Sequence, residues 1–148
     1  MKRTLAIKTP TNQVYQQALS LLAQREHSAL ELTRKLSAKS YAVEEIEPAL
    51  VQLAQNNYQS DERFAEAFVL MRTNQGKGSV LISQQLKQKG IEDFDLSTID
   101  FFELASNVRV KKYGEQLPKN YKEKAKQQRF LQSRGFGFDE INQAFNCE

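Results

Sequence analysis

Apolar residues along this chain fall at helical spacing, and turn chemistry interrupts the pattern at regular intervals. In the centre, Phe64, Ala65, Phe68, Val69 and Arg72 recur every three or four positions, which places them on one helical face. Ser60 or Asp61 is suited to cap that helix, and Asp61, Glu62 and Glu66 put negative charge near its positive end. Gly76 and Gly78 then break the chain. Ser79 is placed to cap a second helix carrying Ile82 and Leu86, Gly90 stops it, and Ile91 follows as an apolar anchor.

The same layout recurs on both sides. Leu36, Ser40, Tyr41 and Ile46 share their internal spacing with Leu86, Gly90, Ile91 and Leu96, and again with Leu131, Gly135, Phe136 and Ile141. The helices upstream agree: Ala18, Leu21 and Arg25 correspond to Ala65, Phe68 and Arg72, then to Ala105, Val108 and Lys112. A unit of this length, repeated in tandem, predicts stacked helical modules that bury their apolar faces against each other. The expectation is an all-α fold of three three-helix repeats, stacked into an elongated, curved, solenoid-like array. The repeats are placed at residues 10–57, 58–99 and 100–148, after a flexible arm at 1–9.

Local signals fill in the remaining elements. Thr9, Pro10 or Thr11 can open the first helix, whose stripe is Val14, Ala18, Leu21 and Leu22. Ser28-Ala29-Leu30-Glu31 is a capping box, with Leu32 and Leu36 following on one face. Ile46, Leu50 and Leu53 mark a third helix that stops at Asn56-Asn57, and Pro48 must lie in its first turns or bend it. The third helix of the middle repeat is short, around residues 95–99. Asp100 to Glu103 offers a second capping pattern. Gly114 and Pro118 separate the next helix from a basic one over 119–133. Gln127 stands where the earlier repeats have Leu32 and Ile82, so this helix is expected to pack less deeply, or to roll and use Phe130.

Composition narrows the class. At 148 residues the chain is one ordinary domain by length, or three small units that cannot fold alone. It has no long apolar run and no apolar leader, so a cytoplasmic protein without a membrane span is expected. One cysteine, Cys147, rules out an internal disulfide and is read as a frayed-end thiol, and one histidine leaves no zinc site of the usual kinds. Net charge is only +3, but it is banded. Residues 1–40, 71–90 and 109–134 are net +5, +4 and +7, whereas 41–70, 91–108 and 135–148 are net −5, −5 and −3.

No reactive constellation emerges, so no catalytic residue and no cofactor are assigned. His27 has no nucleophile partner and precedes a capping serine, which reads as a surface turn. Gly76-Lys77-Gly78-Ser79 lacks the preceding strand and spacing of a phosphate loop. Glu92, Asp93 and Asp95 lack calcium-loop spacing. What remains is a basic surface. Arg34, Lys35 and Lys39 lie on the second helix of the first repeat, Lys87 and Lys89 on that of the second, and Lys122, Lys124, Lys126, Arg129 and Arg134 on that of the third. Stacking would align these helices into one positive stripe that attracts phosphates or an acidic protein groove. Pairing of basic with acidic helices inside each repeat would account for the same banding. Tyr113 and Tyr121 are the aromatics interleaved with this charge, which gives base stacking little support.

Asp61, Arg63, Phe64, Ala65, Arg72, Gly78, Leu86, Gly90 and Ile91 resemble the central signature of the RecX family, regulators of the RecA recombinase. The opening Ala18, Leu22, Arg25, Ser28, Glu31, Leu32 and Leu36 resembles its first repeat. Phe130-Leu131-Gln132-Ser133-Arg134-Gly135-Phe136 with Ile141 resembles its last. The likeness covers nearly the whole chain from about Val14, with Ser40 a departure where the family usually has glycine. It implies three tandem three-helix repeats that lodge in the groove of RecA filaments on single-stranded DNA. It further implies a curb on filament growth, ATP hydrolysis, strand exchange and coprotease activity, hence on the SOS response, with direct DNA binding in some members.

On that resemblance a monomer is expected. The groups assigned to the filament or to DNA are Arg25, Arg34, Lys35, Lys39, Arg72, Lys77, Lys87, Lys89, Lys111, Lys112, Lys122, Lys124, Lys126 and Arg129. Two other classes stay open. A helix-turn-helix repressor would footprint duplex DNA without RecA. A RecA-independent helical adaptor would bind protein with little salt dependence.

Overall fold

The computed structural model describes the backbone of residues 2–146, and side chains from Gln13 onward. Among these residues there are eight helices and no strand: α1 (Lys2–Gln24), α2 (Ala29–Ala38), α3 (Val43–Gln55), α4 (Asp61–Asn74), α5 (Ser79–Gln88), α6 (Phe101–Tyr113), α7 (Tyr121–Ser133) and α8 (Phe138–Gln143). They form two compact units. Unit 1 holds the chain to Ala67 together with Gln88–Glu92, and unit 2 holds Phe68–Lys87 with Asp93–Glu148.

Two sequence expectations are corrected. The presumed arm at 1–9 is helical from Lys2, so α1 begins before Pro10; Leu5, Ala6 and Lys8 are good helix formers. Residues 92–100 do not form a helix. Asp95 accepts the Ser97 amide at 2.9 Å and the Leu96 carbonyl accepts the Ile99 amide at 3.1 Å, which closes a tight turn instead. Pro48 lies in the second turn of α3, within the first turns where it was expected. Cys147 lies outside the described residues.

Unit 1 is organised by the interlock of α1, α2 and α3. Val14, Ala18, Leu36, Ile46, Ala49 and Leu53 are sealed from water, with Tyr15, Leu19, Leu22, Tyr41 and Leu50 packed around them. Each fully buried Val, Leu or Ile in such a core contributes roughly 1.5–3 kcal/mol. The capping box at Ser28 forms as its pattern predicts: Ser28 Oγ accepts the Glu31 amide, and Glu31 Oε1 accepts the Ser28 amide, both at 3.1 Å. Ser60, not Asp61, caps α4, accepting the Arg63 amide at 3.1 Å. The Asp61 carboxylate is spent elsewhere. It accepts the amide of Ala29, the first residue of α2, at 2.9 Å, and Gln59 Nε2 at 2.9 Å.

Each unit closes the N-terminus of one second helix against the end of the next. In unit 1 a Cβ at Gly90 would come within 3.0 Å of Leu30 Cβ, and Arg34 donates to the Gln88 carbonyl at 2.9 Å. In unit 2 the Gly135 carbonyl accepts the amides of Val80 and Leu81 at 2.9 and 3.2 Å, while the Arg134 carbonyl accepts that of Gly78 at 2.8 Å. These amides are ones a helix start leaves without an internal partner. Ser79 is therefore not the cap of α5; its hydroxyl donates to Glu140 at 2.8 and 3.1 Å. Glycine is required at 78 because a Cβ there would stand 2.4 Å from the Gly135 carbonyl carbon.

Unit 2 buries Phe68, Val69, Ile82, Leu86, Phe101, Ala105, Leu131, Phe136, Ile141, Ala144 and Phe145. Gln127 is buried as deeply as its counterparts Leu32 and Ile82, contrary to the expectation of shallow packing or roll. Its amide oxygen faces the guanidinium of the equally buried Arg109 at 3.4 Å. Arg109 Nε also donates to the Ala144 carbonyl at the end of α8 at 3.0 Å, and its guanidinium lies 5.3 Å from the centre of the Phe145 ring.

Candidate functional site

A cleft of about 480 Å³ opens in unit 2 between the end of α4, one face of α6 and the end of α7. Thr73, Asn74, Gln75 and Gly76 form the α4 edge. Gly76 has a positive φ of 76°, and a Cβ there would press to 3.1 Å from Val108 Cγ2, so the turn lies close against α6. Leu104, Asn107, Val108, Lys111 and Lys112 supply the α6 wall at helical spacing. Phe130 and Arg134 close the third side.

Three cations and no carboxylate line this cleft. Two of the cations rest on one aromatic ring: Lys112 Nζ is 4.9 Å and the Arg134 guanidinium 5.1 Å from the centre of Phe130. Tyr113 holds the ring from its side, edge-on at 5.6 Å. Cation–π contacts orient the charges without neutralising them. The cleft is therefore positive, and an anion is the group that complements it.

The assigned basic residues divide by unit. In unit 1 most are engaged internally. Arg25 grips Glu31 through both guanidinium nitrogens at 3.1 Å, and Lys89 reaches the same carboxylate at 2.8 Å. Burial by itself would raise the Glu31 pKa, but the Arg25, Lys89 and Ser28 donors outweigh it and bring it down to about 2. Lys35 donates to His27 Nε2 at 3.0 Å. His27 is thus not a surface residue: it is buried, and its Nδ1–H donates to the Arg25 carbonyl at 3.1 Å. Burial lowers its pKa, the hydrogen bond to Arg25 opposes this, and the charges of Arg25 and Lys35 add to the fall, so the ring is neutral. Lys39 is exposed at the end of α2.

In unit 2 Arg72 braces the end of α4, donating to Gln75 at 2.9 Å and lying 5.1 Å from the Phe68 ring centre. Lys77 is half-buried in the turn that follows. Lys87 is exposed on α5, and Lys111, Lys112, Lys122, Lys124, Lys126 and Arg129 are exposed on α6 and α7. Among the described residues none of these forms an ion pair, and Lys124 has only the Phe145 ring, at 5.6 Å. The described residues hold no cluster of three or more His, Cys, Asp or Glu able to bind a metal ion, and no helix long and apolar enough to cross a membrane.

An all-helical protein of repeated helical modules, with an anion-seeking cleft in its second unit, is the class these features define. Three domain models of one family match it in tandem: the RecX first three-helix domain over residues 15–53, the second over 60–97 and the third over 99–145. Regulatory protein RecX of Vibrio vulnificus (strain CMCP6) is 38% identical over 137 residues, covering 88% of this chain and 90% of that protein. Its counterpart in Vibrio campbellii (strain ATCC BAA-1116) is 37% identical over 148 residues, covering 96% of each. The crystal structure of RecX from Lactobacillus salivarius superposes with a TM-score of 0.77 at 21% identity, over 93% of this chain and 95% of that one. A second crystal structure, of regulatory protein RecX, gives a TM-score of 0.80 at 25% identity, over 95% of this chain and 75% of that one. The chain belongs to the RecX family of regulatory proteins.

Proposed function

We propose that this protein is a negative modulator of the RecA recombinase. It binds RecA filaments on single-stranded DNA, in their groove or at their end, and limits filament extension, ATP hydrolysis, strand exchange and coprotease activity. It acts as a cytoplasmic monomer without catalytic chemistry of its own. Membership of the RecX family across all three helical domains is the observation that carries this reading. The exposed cations of α6 and α7 support it, because among the described residues they form no ion pair, and a polymer with acidic or phosphate surface supplies them with counter-charge. Several weak contacts along a filament then add through effective concentration. Arg25, Lys35 and Lys89 serve the interior of unit 1, so the working contacts are assigned to Lys111, Lys112, Lys122, Lys126, Arg129 and Arg134.

RecA's ATPase on single-stranded DNA, with this protein titrated in, tests the proposal. The wild type suppresses hydrolysis, and the Lys111→Glu/Lys112→Glu variant needs on the order of tenfold more protein for the same effect while melting at the wild-type temperature. A folded variant that inhibits as well as the wild type removes the cleft from the contact. A wild type that leaves the ATPase unchanged at every ratio returns the chain to the repressor or adaptor class.

A further inference from the structure

A flat basic face suits a long polymer. The cleft between α4, α6 and α7 is instead walled on three sides, and its volume of about 480 Å³ is that of a small-ligand pocket, for which roughly 300–1,000 Å³ is usual. A molecule small enough to enter it is a better match than a surface laid across it.

Donors dominate the lining. The ammonium groups of Lys111 and Lys112 and the guanidinium of Arg134 can only donate. Among the described residues none of the three makes a side-chain hydrogen bond or an ion pair, and the side-chain amides of Asn74 and Asn107 are uncommitted as well. Gln75 Oε1 is an acceptor on the same wall, but it is taken by Arg72 at 2.9 Å.

Phe130 narrows the class of anion. Its ring carries Lys112 and Arg134 and is braced by Tyr113, with the two ring planes at 88°. It is a platform for charge and is not free to stack on a base. A nucleic-acid strand also spreads its phosphates out between sugars, whereas the cations of this cleft share one enclosed space. The matching ligand is compact, multiply charged and rich in acceptor oxygens. A lone carboxylate would answer one cation and leave the others bare. A guanidinium fork fits two oxygens of one phosphate, and lysines hold phosphate as point charges.

We propose that this cleft binds a condensed phosphate group, a diphosphate or triphosphate, either free or carried by a nucleotide. Arg134 grips one phosphate, Lys111 and Lys112 neutralise its neighbours, and the amides of Asn74 and Asn107 donate to outlying oxygens. Such a ligand occupies two of the lysines assigned to the filament. That consequence rests on the RecA reading; the binding itself does not.

Isothermal titration calorimetry tests this with the full-length chain at physiological ionic strength, without RecA or DNA. Inorganic triphosphate and ATP both bind, adenosine does not, and citrate binds at least about tenfold more weakly than triphosphate. Lys112→Ala/Arg134→Ala lowers the triphosphate affinity at least about tenfold. Lys122→Ala/Lys126→Ala removes the same charge from outside the cleft and leaves the affinity at the wild-type level. Asn107→Trp keeps every cation but puts an indole into the cleft from an exposed position on α6, and it abolishes binding at an unchanged melting temperature. An ATP affinity above that of triphosphate supports the proposal with a nucleotide as the source; an equal or lower one supports it with free condensed phosphate. Four results overturn it: no saturable triphosphate binding up to millimolar concentration, citrate or adenosine as tight as triphosphate, equal loss in the two double-alanine variants, or wild-type binding by Asn107→Trp. With RecA absent from the titration, failure here and failure of the RecA reading are separately visible.

Discussion

Replacing Glu31 by glutamine removes one negative charge at the point where α2 is fastened to the segment following α5. Both oxygens are occupied: Oε1 by Arg25 and the Ser28 amide at 3.1 Å, Oε2 by Arg25 at 3.1 Å and Lys89 at 2.8 Å. The pKa is lowered from 4.5 to about 2 even though burial pushes the other way. That difference corresponds to roughly 3 kcal/mol at about 1.4 kcal/mol per pH unit. Arg25 and Lys89 are 49% and 34% exposed, so solvent screens part of it. A loss of about 2 kcal/mol at pH 7 is the expected cost of Glu31→Gln. The sign with pH follows from a folded pKa below the unfolded one. The stabilisation is complete above about 4.5 and disappears as pH falls toward 2. Urea denaturation of both proteins at several pH values measures the gap. A gap under about 0.5 kcal/mol at pH 7, or one that stays constant through the acid range, refutes the reasoning.

Four further outcomes are expected. Arg109→Met and Gln127→Leu each lower stability by about 1–3 kcal/mol, because each strands a buried polar partner, whereas the double variant loses less than their sum in a denaturation cycle. Gly78→Ala lowers the stability of unit 2 by at least about 2 kcal/mol, since the new methyl would meet backbone at 2.4 Å. Gly114→Ala meets no neighbour, but φ 92° with ψ 172° is backbone that essentially only glycine adopts, so it loses about 1–3 kcal/mol in urea denaturation. Ser40→Gly raises stability by about 1 kcal/mol, because Ser40 holds a φ of 74° where the matching repeat positions, Gly90 and Gly135, have glycine.

Most of the helix plan was legible because it rests on local signals. The Ser28 box, the apolar stripes and the left-handed positions at 40, 90 and 135 all depend on residues close in sequence. The misreadings came where distant residues decide. Ser79 has the chemistry of a cap, but a carbonyl from Gly135 already fills that role. His27 looks polar and turn-bound, yet Arg25 and Lys35 satisfy both ring nitrogens in a buried place. Arg109 and Gln127 are two breaks in the repeated apolar pattern, at positions held by Leu22 and Val69, and by Leu32 and Ile82. Read together they are one buried pair; read singly, Gln127 suggests a shallow helix. The candidate site divides the same way. Charge banding located the basic helices, but only packing separates Lys89 and Arg25, committed to Glu31, from Lys111 and Lys112, which face a cleft.

The most direct test of the central claim is the rate of ATP hydrolysis by RecA on single-stranded DNA as this protein is added at substoichiometric amounts. The account predicts that hydrolysis declines over time as filaments turn over, with less decline as salt is raised. An unchanged rate at every ratio and every salt concentration would contradict it.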